Sequence, residues 1–93
     1  MVQIVENWAL LTCRLEAVRR VDDQVELDAW IEAADDVDNV RNLLRQHVGS
    51  RKLIRLRGGD VQLSPGARFA VKARLADPAT AWGDPATLTV LPP

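Results

Sequence analysis

Apolar and polar positions alternate with period two over two long stretches of the chain. In residues 8–18, Ala9, Leu11, Cys13, Leu15 and Ala17 share one face, while Thr12, Arg14 and Glu16 occupy the other. In residues 25–33, Val25, Leu27, Ala29, Ile31 and Ala33 point one way and Glu26, Asp28, Trp30 and Glu32 the other. Successive side chains leave a strand on opposite faces, so this pattern predicts two half-buried strands. The polar stretch Asp22-Asp23-Gln24 between them predicts a turn, and the pair is expected to form a hairpin.

The same parity constrains the register. Inward residues are odd-numbered on both strands, and directly opposed residues share a sheet face, so each pair should sum to an even number. A three-residue loop, Asp22-Asp23-Gln24, opposes Val21 with Val25, Leu15 with Ile31, Arg14 with Glu32 and Arg20 with Glu26. The loop Val21-Asp22-Asp23 would set Glu16 against Asp28. Cross-strand pairs are worth roughly 0.2–1 kcal/mol each, so the first register is expected. A two-residue turn at Asp22-Asp23 would require a bulge.

The period changes over residues 37–48. Val37, Val40, Leu44 and Val48 fall on one helical stripe with Leu43 beside it, which predicts a single α-helix. Asp36 or Asp38 is placed to cap its start, and Gly49 to end it in a left-handed conformation. Leu53–Leu56 predicts a short strand, followed by Gly58-Gly59 as a tight turn. Val61 and Leu63 form a brief return, and Ser64-Pro65-Gly66 a second turn. Residues 68–75 alternate again, with Phe69, Val71, Ala73 and Leu75 inward. Residues 76–86 read as a loop carrying Trp82, and Leu88 and Val90 as a final strand.

Strands punctuated by glycine and proline turns indicate a barrel or a sandwich. The 93 residues fit one small domain spanning 1–93, mainly β with one helix. The inventory of five strands and one helix is that of a small antiparallel barrel similar to the oligonucleotide/oligosaccharide-binding (OB) fold. A competing architecture is a β-sandwich of fibronectin type III or immunoglobulin type. The segment Leu63–Ala73, with Gly83-Asp84-Pro85 and Leu88-Thr89-Val90, resembles the last two strands of a fibronectin type III sandwich, with Phe69 where that family usually has tyrosine.

Charge sharpens the picture. The formal net charge is only −1. Residues 1–40 hold ten acids against three bases, a net −7, whereas residues 41–93 hold nine bases against three acids, a net +6. Such asymmetry points to pairing within the fold, to self-association or to a charged partner. The sole cysteine, Cys13, alternates with Leu11 and Leu15 and reads as a small buried hydrophobe. No apolar run approaches the roughly 18 residues of a membrane span, and the start lacks a basic leader, so a cytoplasmic setting is expected.

Catalytic patterns are sparse. Gly58-Gly59 lacks the residues of a phosphate loop. His47 stands alone as a histidine, and near Gly49 it reads as a helix-end residue. No metal site or cofactor is expected. Two features suggest binding. Trp30, flanked by Asp28 and Glu32 on a polar strand face, suits a protein contact or self-association. Arg51, Lys52, Arg55, Arg57, Arg68, Lys72 and Arg74 are expected on adjacent strands, where on the outward face of a barrel they would form a basic stripe, the alternative being single-stranded nucleic-acid binding through Arg51, Lys52, Arg55, Arg57, Lys72 and Arg74. The acidic face of the second strand is expected to neutralise most of that stripe. The expectation is a non-catalytic interaction module that binds another protein or its own copies.

Overall fold

Six strands carry the architecture: β1 (Ala9–Val21), β2 (Gln24–Asp36), β3 (Arg51–Arg57), β4 (Arg68–Asp77), β5 (Thr80–Gly83) and β6 (Thr89–Leu91). The structure, a computed structural model, describes residues 6–58 and 61–92. The sheet order β1-β2-β3-β5-β4 closes on itself because β4 also pairs with β1. Closure removes the exposed sheet edges that invite aggregation. The β3–β5 pair is parallel and every other pair antiparallel. The result is a small five-stranded barrel of OB-like strand order, and β6 continues the line of β5 along β4. It is a closed barrel and not a two-sheet sandwich.

Alternation fills the interior as expected. Leu11, Cys13 and Leu15 from β1 meet Val25, Leu27 and Ile31 from β2, Ile54 and Leu56 from β3, and Phe69 and Val71 from β4, all buried. Val61 and Leu44, from the connections, join the same core. Gly83 has a specific role in β5. A Cβ there would lie 2.6 Å from Leu56 Cδ2 and 3.2 Å from Val71 Cγ2, so its absence lets β5 wedge between β3 and β4.

The first hairpin exists, but its register differs from expectation. The turn is the two-residue one, pairing Val21 with Gln24, and Asp22 takes φ +57°, a conformation that aspartate tolerates. Bulges restore the parity that this turn breaks. Glu16 is extra on β1, between the pairs Leu15–Ala29 and Ala17–Asp28. Glu32 is extra on β2, between Thr12–Ala33 and Cys13–Ile31. Between the bulges the sums are even and the buried residues face each other. Leu15 therefore opposes Ala29 rather than Ile31, Arg14 opposes Trp30, and Arg19 rather than Arg20 opposes Glu26. Charge did not select the ladder, because long arginine side chains reach across a bulge: Arg14 Nη2 still lies 3.2 Å from Glu32 Oε2.

The α-helix expected over 37–48 is replaced by an irregular connection with one 3₁₀ turn, Arg45–His47. Asp36 belongs to β2, opposite Ala9, and Arg41 forms a bridge with Asn7. Asn42 Oδ1 accepts from the backbone N–H of Leu44 (3.1 Å) and Arg45 (3.0 Å), offering the chain a local alternative to helix. Three valines further lower helix propensity in a segment too short to be helical alone. Gly49 does take a positive φ, +86°. The turn at Ser64-Pro65-Gly66 is present, with Ala67 N–H donating to Ser64 O (3.0 Å) and Gly66 at φ +93°. Gly58 has φ +73°, while Gly59 lies outside the described residues. Val61 and Leu63 pack on the core without forming a strand. Residues 80–83, expected as loop, are β5.

Candidate functional site

Strand register places the outward side chains in rows around the barrel. One row runs Arg68 (β4), Arg14 (β1), Trp30 (β2), Arg51 (β3). A second runs Arg19 (β1), Glu26 (β2), Arg55 (β3), Trp82 (β5), Arg74 (β4). Between them lie Ala17, Asp28 and Leu53 on β1, β2 and β3. Trp30 is 41% exposed, so it is not a core residue.

On the β1–β2–β3 face each carboxylate organises arginines. Glu26 binds Arg19 and sits 3.2 Å from Arg55 Nε. Glu32 takes Arg14 at 3.2 Å and Arg68 at 3.0 Å, and Asp28 pairs with Arg51. The acids lie low and the bases high: the Glu26 side chain is 9% exposed against 73% for Arg19. The Arg19 hydrogen bond and charge, with Arg55 behind them, hold the Glu26 carboxyl below its ordinary range despite the opposing effect of burial. Ala17, Val18, Arg19, Glu26, Asp28 and Leu53 line a groove of about 240 Å³ on this face.

The basic stripe expected from Arg51, Lys52, Arg55, Arg57, Lys72 and Arg74 is divided by the fold. β3 and β4 are not neighbours, because β5 lies between them. Arg51 and Arg55 are ion-paired with Asp28 and Glu26. Lys52 points inward and is 4% exposed, its amine donating to Pro78 O and lying 3.5 Å from His47 Nδ1. Even positions of β3 face the core, so Lys52, in phase with Ile54 and Leu56, goes inside. Burial lowers the pKa of Lys52, and burial together with the Lys52 charge lowers that of His47.

The remaining bases keep different company. The Arg57 guanidinium lies 5.2 Å from the Trp82 ring centre, and the Lys72 amine 5.1 Å from that of Trp8. Arg74 stands beside Trp82 in the ladder, exposed. None of these three has an ion pair among the described residues. Sequence reading missed Trp8 and Trp82 as partners of the basic residues. The missing signal was β5, whose four residues include two small ones and show no long alternation.

Cys13 is fully buried and burial, followed by the Glu32 charge, pushes its thiol pKa up to about 12, so it stays an unreactive core group at neutral pH. No cluster of three metal-ligating side chains occurs among the described residues. Among the same residues no helix is long and apolar enough to cross a membrane. No protein-family model matches the chain, and no curated protein matches it.

Proposed function

We propose that the protein is a non-catalytic interaction module that docks a protein partner on the outer face of β1–β2–β3, with Trp30 as its anchor. The observation that carries this reading is the half-exposed Trp30 ring set between Arg14 and Arg51. Tryptophan and arginine dominate the energetics of protein contacts, and a large exposed ring gains most from being covered. The neighbouring groove, at about 240 Å³, is below the roughly 300–1,000 Å³ of small-molecule sites and suits one apolar side chain. Around it, charges of both signs alternate, which favours a mixed protein surface over a phosphate chain. Glu26, Asp28 and Glu32 on this face are each ion-paired with arginine.

Affinity capture at moderate salt, repeated with Trp30→Ala and Arg74→Ala, tests the reading. A bound protein, or the protein's own dimer in sedimentation, is expected to weaken by about 2–4 kcal/mol with Trp30→Ala alone. Sedimentation of the protein by itself separates a second copy from a different partner. Contacts indifferent to Trp30, or lost steeply as salt rises, would overturn it.

A further inference from the structure

We propose that His47 and Lys52 form an acid-sensitive latch that holds residues 47–51 against β2 beside Trp30. Its effect on docking rests on Trp30 being the anchor, whereas the latch itself stands on local geometry. Residues 47–51 form a strap tied down by hydrogen bonds. Gly49 N–H donates to Ile31 O at 2.8 Å, Ile31 N–H to Ser50 O at 3.0 Å, and Ser50 Oγ to His47 O at 2.6 Å. Arg51 then enters β3 opposite Trp30 and pairs with Asp28. Behind the strap the Lys52 amine donates to Pro78 O and lies 3.5 Å from His47 Nδ1. An ammonium carries donors and no acceptor, so Nδ1 faces it with a lone pair, and the imidazole is neutral with its proton on Nε2.

A second proton has no place in this contact. On Nδ1 it would turn an acceptor into a donor and set two cations 3.5 Å apart, one of them on a side chain only 4% exposed. Solvent screens a buried pair of this kind poorly. The surrounding charges have other roles. Arg45, on the same turn, pairs with Asp36 at the end of β2. β2 also brings Glu32, held by Arg14 and Arg68, and Asp35, which is exposed. Asp77, before β5, accepts from Ala79 and Thr80 N–H; burial lowers the Lys52 pKa and the Asp77 charge opposes that shift. Burial, then the Lys52 charge, lowers the His47 pKa from 6.5. The closed strap thus binds a proton on His47 less readily than the open one, and falling pH favours opening. The effect begins near 6.5 and ends at the lower folded value, and one proton limits it to about tenfold per pH unit. Arg51 moves with the strap, so acid withdraws one of the two arginines that flank Trp30.

His47 is the sole histidine, so its ring signals titrate without overlap in NMR spectra of the full chain. The midpoint is expected below 6.5 in the wild type and closer to it in Lys52→Met, which keeps the side-chain length and removes the charge. Amide exchange, corrected for the intrinsic rate at each pH, reads the strap itself. Between about pH 7.5 and 5.5, protection of the Ile31 and Gly49 amides should fall about 3- to 10-fold. It should stay below that of the most protected core amides at both pH values, because the strap opens without the barrel unfolding. His47→Gln, neutral throughout, should abolish the fall, and Lys52→Met should reduce it. The protein alone is measured, so the result holds whether or not a partner docks at Trp30. Protection independent of pH over this range, an equal fall in His47→Gln, or a His47 midpoint at or above 6.5 would overturn the proposal.

Discussion

Trp30 and Trp82 both project from the barrel wall between arginines, yet their surroundings differ. Around Trp30, three carboxylates hold five arginines in fixed poses. Around Trp82, Arg57 rests on the ring and Arg74 has no ion pair among the described residues. The difference follows from strand order. β2 carries Glu26, Asp28 and Glu32 outward, and only β1 and β3 lie beside it. The acids of β2 reach Arg51 and Arg55 on β3 and, across β1, Arg68 at the start of β4, but Lys72 and Arg74 lie further along β4 and have no ion pair among the described residues. Residue composition alone would make the faces equivalent. Topology decides which bases are neutralised.

If both faces belong to one cooperative barrel, a core lesion must abolish them together. Phe69 is fully buried on β4, opposite Cys13 of β1. Phe69→Ala should cost about 3–5 kcal/mol, with circular dichroism and tryptophan fluorescence reporting one coincident transition. Separate transitions would mean that the faces fold independently. A smaller lesion targets one side. Gly83→Ala forces a Cβ toward Leu56 Cδ2 and should cost about 1–3 kcal/mol. It should displace Trp82 while sparing contacts at Trp30, read from near-ultraviolet circular dichroism and protein-partner binding in parallel. Equal losses on both would erase the distinction.

The regions that sequence reading captured are those where burial repeats over many residues. The alternation of Ala9–Leu15, Val25–Ile31 and Phe69–Leu75 predicted three strands and their inward faces. Reading failed where a single residue or a distant contact decides. One extra residue at Glu16 and one at Glu32 reset the hairpin register, and nothing local marks either as a bulge. The stripe Val37, Val40, Leu44 and Val48 has helical spacing, but Asn42 and the Arg41–Asn7 bridge hold the segment in another shape. Trp30 was recognisable as an exposed ring among acids. Arg55, Arg57, Lys72 and Arg74 were recognisable as part of a basic stripe, but their placement beside Trp82 and Trp8 was not, since it required β5 to stand between β3 and β4.

Removing one acid should make the first face resemble the second. Glu32 alone ties Arg14 to Arg68, and Glu32→Gln should alter stability by at most about 1 kcal/mol, as for other partly exposed ion pairs. The freed guanidiniums beside Trp30 should then steepen the salt dependence of protein-partner binding on this face. An unchanged slope would show that aromatic placement, and not charge balance, separates the faces.

Acid should sharpen the same contrast with no substitution on the second face. Glu26 titrates below its ordinary value of 4.5, first because Arg19 donates to it and then through the charges of Arg19 and Arg55. A carboxylate whose folded pKa is depressed binds fewer protons in the native than in the unfolded chain. Its contribution to stability is therefore fully present above pH 4.5 and is lost as pH falls through the folded value. Glu26→Gln should remove that contribution, so the unfolding midpoint in urea should fall less steeply below pH 4.5 than in the wild type. Asp36 adds a similar dependence through Asn42 and Arg45, which is why the comparison must be between the two proteins and not within one curve. Among the described residues Arg57, Arg74 and Lys72 have no carboxylate partner to protonate, so Glu26 reaches the surroundings of Trp82 only through Arg55. Parallel stability curves for wild type and Glu26→Gln would show that the Arg19–Glu26–Arg55 cluster adds nothing to the stability of the folded barrel.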